Sequence, residues 1–350
     1  MKVHRLQLVF SLLLTAIVIG LIAINFDFIL ESLQLAATAR LEWVAVAFGL
    51  ELIGFFVASQ VYRIALKSLG YSSHHPLRLW AVTMIAIVMS QSFPAGGVAS
   101  YAFLVHSFRK RGVSSAHSAL VATLEALSYC TAMILLFGFS MVYILGHGDL
   151  GRSELGAAVA SMVGITVIGL VVFVLTREES LLLHWALRVK GALESLSRRR
   201  WDDEGVEKAI AELAHGRGLI TARWTDMLLL IGIQLVALSV HSLALMAVLY
   251  SLGAVASFPV VLAAFGVALV SSTFNVLPGG GGTVEAAIVL TLSGLGIAAG
   301  QAVPATVIFR LLNYWFMVPI ALVSYRLLMR GASPVRDDTV RAADEAAKAG

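Results

Sequence analysis

The sequence predicts an all-α, polytopic helical membrane protein. It would have about six full transmembrane helices and two re-entrant, Pro/Gly-broken hairpins in an inverted repeat. Three features predict this: a composition that suits lipid, apolar runs of bilayer length, and motifs that recur in order in two halves of the chain. Of the 350 residues, 59% are hydrophobic and 13% charged, and mean hydropathy is +0.89. A soluble domain carries about 45–50% apolar and about 25% charged residues. Such a chain cannot cover itself with polar groups, which excludes soluble enzymes, disulfide-stapled secreted modules and disordered proteins. Cys130 is the only cysteine, so an intrachain disulfide and a multi-cysteine metal site are excluded as well.

A ~30 Å hydrocarbon layer needs about 20 apolar residues per helix. Runs at 9–30, 43–62, 117–145, 155–175, 226–250 and 304–328 meet that need. The first is read as an uncleaved helix, because its core is longer than a signal peptide's and a polar stretch separates it from Ala37-Thr38-Ala39. Two further apolar regions, 79–108 and 258–299, are each broken near the centre by Pro and Gly. If each broken region enters and leaves on one side, all but three of the 25 Lys and Arg fall on a single side. The three are Arg40, Arg152 and Arg310. By the positive-inside rule that side is cytoplasmic, with both termini inside a cytoplasmic (inner) membrane. Simple crossings would instead turn Arg109-Lys110-Arg111 outward.

The repeat copies span about 68–130 and 251–315. Ser68-Leu69-Gly70 and Pro76 match Ser251-Leu252-Gly253 and Pro259. Pro94-Ala95-Gly96-Gly97 matches Pro278-Gly279-Gly280-Gly281, Gly112-Val113 matches Gly296-Ile297, and Glu125 falls opposite Arg310. An odd number of crossings between the copies inverts the second, as in secondary transporters whose sites form at the midplane from discontinuous helices.

Broken backbone cannot face hydrocarbon, so both breaks must be buried or line a wet cavity. Converging glycine N–H groups ahead of a helix N-terminus suit an anion, particularly a phosphate. Gly279, Gly280 and Gly281 lead into Thr283, a candidate N-cap, and Glu285 in the first turn; Pro94, Gly96 and Gly97 form the counterpart. The glycines either cradle a ligand or only permit a tight turn. No Lys-Ser/Thr follows them, which excludes a Walker-type loop.

Ionisable residues inside spans are expensive and point to function. Glu51, Glu125, Arg310 and Glu285 qualify. Glu125 and Arg310, equivalent in the repeat, either form a structural pair across the two-fold or divide the work, Arg310 holding a phosphate and Glu125 switching or carrying a proton. Glu51 is a proton or cation site, or a buried hydrogen-bonded helix contact. His106, His117 and His241 lack metal-ligand spacing and are expected to pack ordinarily. Asn275, Gln91, Gln234 and Asn313 are available to make a cavity polar. No catalytic triad, paired carboxylates, metal or cofactor site is expected, nor nucleic acid as a partner.

Residues 1–330 read as a single transmembrane domain. The polar insert 177–224 carries apolar residues at helical spacing beside Arg198-Arg199-Arg200. It is either an amphipathic helix on the anionic inner leaflet or a solvated linker. Residues 331–350, rich in Ala and charge, are expected to form a flexible tail.

The segment Asn275-Val276-Leu277-Pro278-Gly279-Gly280-Gly281-Gly282-Thr283-Val284-Glu285 resembles the Pro-Gly-Gly…Glu signature of the lysylphosphatidylglycerol synthase transmembrane-region family. Ser92-Phe93-Pro94-Ala95-Gly96-Gly97 resembles its earlier Pro-Gly motif, and Ile308-Phe309-Arg310-Leu311-Leu312-Asn313-Tyr314-Trp315 its Tyr-Arg…Tyr-Trp segment. The likeness covers about 9–330 and departs at Ala95 and Phe309. The resemblance implies lipid translocation. In bifunctional synthases this region moves aminoacylated phosphatidylglycerol outward, while a separate soluble domain, not expected here, performs the aminoacyl transfer. Some stand-alone members of that family are tied to polyprenyl-phosphate or glycolipid pathways.

The sequence therefore favours a non-enzymatic flippase or scramblase for an anionic lipid. Its site residues would be Arg310, Glu125, Glu285, Gly279, Gly280, Gly281, Thr283, Pro94, Gly96, Gly97, Glu51, Asn275 and Tyr314. Alternatives are an ion-coupled carrier of a small anion and a membrane enzyme acting on lipid phosphates. Expected partners are membrane lipids, a second copy of the chain, or an envelope-biosynthesis enzyme.

Overall fold

The computed structural model describes residues 34, 37–71, 75–92, 96–147, 224–273 and 282–330. Its elements are α1 (Leu41–Ser68), α2 (Pro76–Ser92), α3 (Gly96–Arg109), α4 (Ser115–His147), α5 (Trp224–Ser251), α6 (Phe258–Thr273), α7 (Thr283–Gly294) and α8 (Ala299–Arg310), then a π-helical turn (Leu311–Trp315) and α9 (Met317–Arg330). No strand occurs among the described residues. Four stretches are long and apolar enough to span a bilayer: Leu41–Ser68, Ser115–His147, Thr225–Ser251 and Ala299–Leu328. They contain four of the six expected spans. The expected spans at 9–30 and 155–175, nearly all of the insert 177–224 and the tail 331–350 lie outside the described residues, as do 93–95 and 274–281 at the two breaks.

Two of the matched glycine pairs end helices. At Gly70, Gly112, Gly253 and Gly296 φ is +89°, +84°, +73° and +92°, values that a Cβ disfavours. In each case the next residue's N–H reaches back to a carbonyl of the last turn. The bonds are Tyr71 to Leu66 (2.9 Å), Val113 to Phe108 (3.2 Å), Ala254 to Leu249 (3.0 Å) and Ile297 to Leu292 (3.0 Å). This is the Schellman pattern, which satisfies carbonyls that a helix end would otherwise leave bare. The recurring spacing thus records one turn geometry, used twice in each half.

The longest contact joins α1 and α5, 28 residues each. Its register is set at one end, where the Arg40 N–H donates to Ser251 O (2.9 Å) and the Arg40 guanidinium to Tyr250 O (2.9 Å). A cation placed there also meets the negative end of the α5 dipole. At the other end of α1, the Tyr71 hydroxyl bonds His117 Nδ1 (3.0 Å) and receives the Ser114 N–H (3.3 Å) from the α3–α4 connection. Ile297 of the α7–α8 connection packs against the same large apolar cluster as Ala39 and Trp43.

Two apolar clusters follow the same division. One gathers α6, α7 and α8 with α5, and includes Phe265, Ile288 and Phe309. The other gathers α2 and α3 with the Tyr71 end of α1, and includes Leu79, Leu104 and Phe108. Outward faces carry Val46, Ile53, Leu135, Val142, Leu228, Val236, Leu322 and Leu327, all more than half exposed or nearly so. Apolar side chains pointing outward from helices of this length suit hydrocarbon rather than water.

Where α1 and α5 pass closest, Gly54 lies against the His241 imidazole. A Cβ at Gly54 would stand 2.6 Å from the ring. Overpacking of this kind costs about 1–3 kcal/mol. Gly54→Ala is therefore expected to lower the thermal unfolding midpoint of the detergent-solubilised protein. Gly49→Ala, one turn away where nothing lies within 4 Å, serves as the control and is expected to leave the midpoint unchanged.

Candidate functional site: a buried guanidinium where broken helices meet

Arg310 is the last residue of α8 and only 7% exposed. Its Nε donates to Glu285 Oε1 at 2.8 Å, forming an ion pair. Glu285 stands in the first turn of α7, and its Oε2 accepts the Gly282 N–H at 3.0 Å. One carboxylate thus neutralises the guanidinium and closes the α7 N-terminus, where negative charge is favoured. From the other half of the molecule, Gln91 at the end of α2 accepts from Arg310 Nη1 at 3.4 Å. The next residue, Ser92, bonds the Tyr314 hydroxyl at 3.0 Å, and the Tyr314 ring centroid lies 5.4 Å from Arg310 Cζ. The ends of α2, α7 and α8 converge here.

The π turn directly follows Arg310. Its defining bond runs from the Phe316 N–H to Leu311 O at 2.8 Å. Pro319, four residues beyond Trp315, has no N–H and leaves the Trp315 carbonyl without its α-helical donor. Such turns occur frequently at functional sites. Asn313, within the turn, donates to Glu51 Oε2 at 2.7 Å, and the same oxygen meets His241 Nδ1 at 2.7 Å. Glu51 is fully buried, His241 nearly so. A second polar cluster is thus joined to the first by three residues of chain.

The structure brings together Arg310, Glu285, Tyr314 and, through the π turn, Glu51. Two expectations are corrected. Arg310 pairs with Glu285 rather than with its repeat counterpart; Glu125, half-buried on α4, faces Tyr62 of α1. The repeat relates positions, but the rotation of each helix decides which faces meet. Thr283 is not the N-cap: Gly282 takes that position with φ +88°, and exposed Thr283 is the first residue of α7. Gly96 and Gly97 begin α3, where a Cβ at Gly97 would meet nothing within 4 Å, so close packing does not require that glycine. Pro94, Asn275, Gly279, Gly280 and Gly281 lie outside the described residues. His241, expected to pack ordinarily, is instead a partner of Glu51, and Ser92 was not singled out at all. Gln91 and Asn313, expected only to add polarity, make specific bonds.

Among the described residues no group of three or more His, Cys, Asp or Glu could hold a metal ion. What the site offers is a guanidinium, a carboxylate, one side-chain amide and two hydroxyls at the meeting point of helix ends. The guanidinium, the amide and the hydroxyls are the donors that recognise an anionic oxygen group, particularly phosphate, the guanidinium through charge-assisted hydrogen bonds.

The sequence profile described as Lysylphosphatidylglycerol synthase TM region matches residues 7–321. No curated protein matches the chain.

Breaking one side of a buried ion pair leaves the other charge uncompensated and costs about 3–5 kcal/mol when both partners are fully buried. Arg310→Gln, which strands a carboxylate about one-third exposed, is expected to cost about 2–3 kcal/mol. Glu285→Gln, which strands the more deeply buried guanidinium, is expected to cost more. A double-mutant cycle on thermal unfolding in detergent measures the coupling, and additive losses would show that the pair contributes nothing. The charge-swapped double variant is not expected to recover stability, because the Gly282 N–H needs the carboxylate at position 285.

Proposed function

The chain belongs to the Lysylphosphatidylglycerol synthase TM region family, and on that premise we propose that it is a flippase or scramblase for an anionic phospholipid or a lipid-linked phosphate. The family relates it to lipid handling in a multi-pass membrane protein. The observation that carries the finer reading is Arg310, buried among apolar helices yet placed where the ends of α2, α7 and α8 converge.

A charged residue inside a membrane domain needs a reason, because the cost of placing it there is several kcal/mol. Glu285 alone would neutralise Arg310 as a structural pair. Structure without function does not require Gln91, Ser92 and Tyr314 from two halves of the molecule around the same guanidinium. In this reading a headgroup phosphate exchanges with the long Gln91 contact and shares Arg310 with Glu285, while its acyl chains stay in the bilayer. The helix pairs α2–α3 and α6–α7 act as re-entrant hairpins of an inverted repeat. The paired Schellman turns, at matching positions of the two copies, support that reading. An inverted repeat gives one site access to each leaflet in turn. In this reading the Arg109–Arg111 side is cytoplasmic and the membrane is the inner one, which the distribution of Lys and Arg along the sequence supports. We read the protein as a transporter rather than an enzyme: Glu285, the acid nearest Arg310, is already engaged by both Arg310 and the Gly282 N–H.

Reconstitution into liposomes with tail-labelled fluorescent phosphatidylglycerol, read by quenching of the outer leaflet, tests the activity. The wild type is expected to speed transbilayer movement of this lipid and not of phosphatidylcholine. Arg310→Gln is expected to slow it by about tenfold or more, the loss of one charge-assisted contact. No acceleration for phosphatidylglycerol or other anionic headgroups, or transport of free phosphate in their place, would overturn the proposal. Topology has its own test in a Cys130→Ser background. A cysteine at Lys110 should react from the cytoplasmic side and one at Ser293 from the outside; labelling of both from one face defeats the inverted arrangement.

A further inference from the structure

The Glu51–His241–Asn313 cluster stands apart from the phosphate-type donors and has features that a helix contact does not need. Glu51 is fully buried, and its Oε2 takes two short bonds while its Oε1 has no partner among the described residues. A buried carboxylate oxygen left bare costs about 1–3 kcal/mol, so a purely structural contact would be expected to occupy it. The imidazole is held by packing: Gly54 gives it room, the Phe55 ring meets it edge-on at 4.8 Å, and Phe265 lies 6.4 Å away. No other acid contacts it among the described residues. Glu51 and His241 also lie at matching depth, each near the middle of one of two antiparallel helices of equal length.

We infer that Glu51 and His241 form a proton-binding site, and that Asn313 transmits its state to the π turn that carries Arg310 and Tyr314. In apolar surroundings a carboxylate beside a neutral imidazole is a net negative charge, which low dielectric penalises. One added proton removes that net charge, whether it settles on the imidazole or on the bare Oε1. The cluster thus has two atoms that can accept one proton, and water entering between parted helices gives that proton a way out. A sodium ion fits less well, because two donors, the Asn313 amide and the ring Nδ1–H, already point at the only carboxylate. Other titratable groups on the surrounding elements are Arg310 and Tyr314 from α8 and the π turn, and Glu125 and Tyr129 from α4. Those of α2 and of the helix ends, Arg78, Glu42 and Asp226, are distant along the chain, and α6 carries none.

Coupling follows from the chain. The Asn313 amide donates to Glu51, so protonation or opening of the carboxylate changes what holds the turn, and the same turn positions Tyr314 against Ser92 and Arg310. The consequence for transport rests on the translocation reading above; the proton site does not.

Two measurements separate these layers. In the first, the full chain with 15N-labelled histidine in lipid nanodiscs is titrated by NMR. Interacting sites release protons in steps that belong to the pair. The His241 ring signals are expected to change in two steps in the wild type and in one step in Glu51→Gln, a near-isosteric variant. A single wild-type step, or identical titrations in both proteins, would overturn the site even if lipid transport were confirmed. In the second, the phosphatidylglycerol assay is run at several pH values. The wild-type rate is expected to vary by up to about tenfold per pH unit, as one proton permits, and that of Glu51→Gln to be flat. Asn313→Ala is expected to keep the two-step titration while losing the pH dependence of transport. A pH-dependent Glu51→Gln rate, or dependence on sodium without dependence on pH, counts against coupling. If Glu51→Gln does not fold, His241→Gln replaces it in the transport arm, and the wild-type titration still decides the site.

Discussion

A guanidinium placed among apolar helices must be matched by charge and by hydrogen-bond acceptors, and in this protein only interrupted helices can supply them. The carbonyls of a continuous helix are consumed by its own ladder, and its side chains project sideways. At a helix end, side chains and backbone groups point along the axis as well. Glu285 reaches both Arg310 and the Gly282 N–H because it stands in the first turn of α7. Gln91 and Ser92 reach Arg310 and Tyr314 because α2 stops there. The glycine-rich breaks and the buried charge are therefore two sides of one constraint. Without Arg310 the ends of α2 and α7 would have no common target, and without those ends Arg310 would lose Glu285 and Gln91.

The π turn distributes that constraint. With bonding from each residue to the fifth before it, a turn takes more residues than in an α-helix, and side chains emerge at different angles around the axis from those an α-helix would give them. Tyr314 comes back beneath the Arg310 guanidinium while its neighbour Asn313 addresses Glu51 on α1. Two polar clusters that apolar packing would otherwise isolate are held by one five-residue turn. A distortion at that turn cannot leave either cluster unaffected.

Much of the architecture could be read from the sequence because the bilayer imposes a length. Four expected spans coincide with long helices, and the broken regions coincide with short ones. Matched glycines at equal spacing pointed to a repeat; that they are left-handed helix caps needed backbone angles. The position of Glu285 in a first turn was legible, since charge and helix polarity fix it. Its partner was not. Comparing repeat positions pointed from Arg310 to Glu125, but which face each helix presents depends on packing rotation, which spacing does not encode. His241 looked like any histidine in an apolar helix. The signal that could have found it was depth: Glu51 and His241 stand at similar distances from the ends of two antiparallel spans, a relation that becomes visible once Arg40 is seen to fix the register against Ser251. Pro319 was the available sign of the π turn.

The choice of Glu285 over Glu125 has a consequence for how the halves divide the work. In a strictly symmetric two-fold, each copy would bring the same polar groups to the centre, and like charges would face like. The second copy instead supplies both members of the ion pair, Glu285 and Arg310, and the first contributes only the uncharged Gln91 and Ser92. One neutralised pair is far cheaper to bury than two, and neutral amides and hydroxyls can exchange partners without leaving a bare charge. The contacts between the copies at this site are thus neutral ones, while the charge on the guanidinium is compensated from within the second copy.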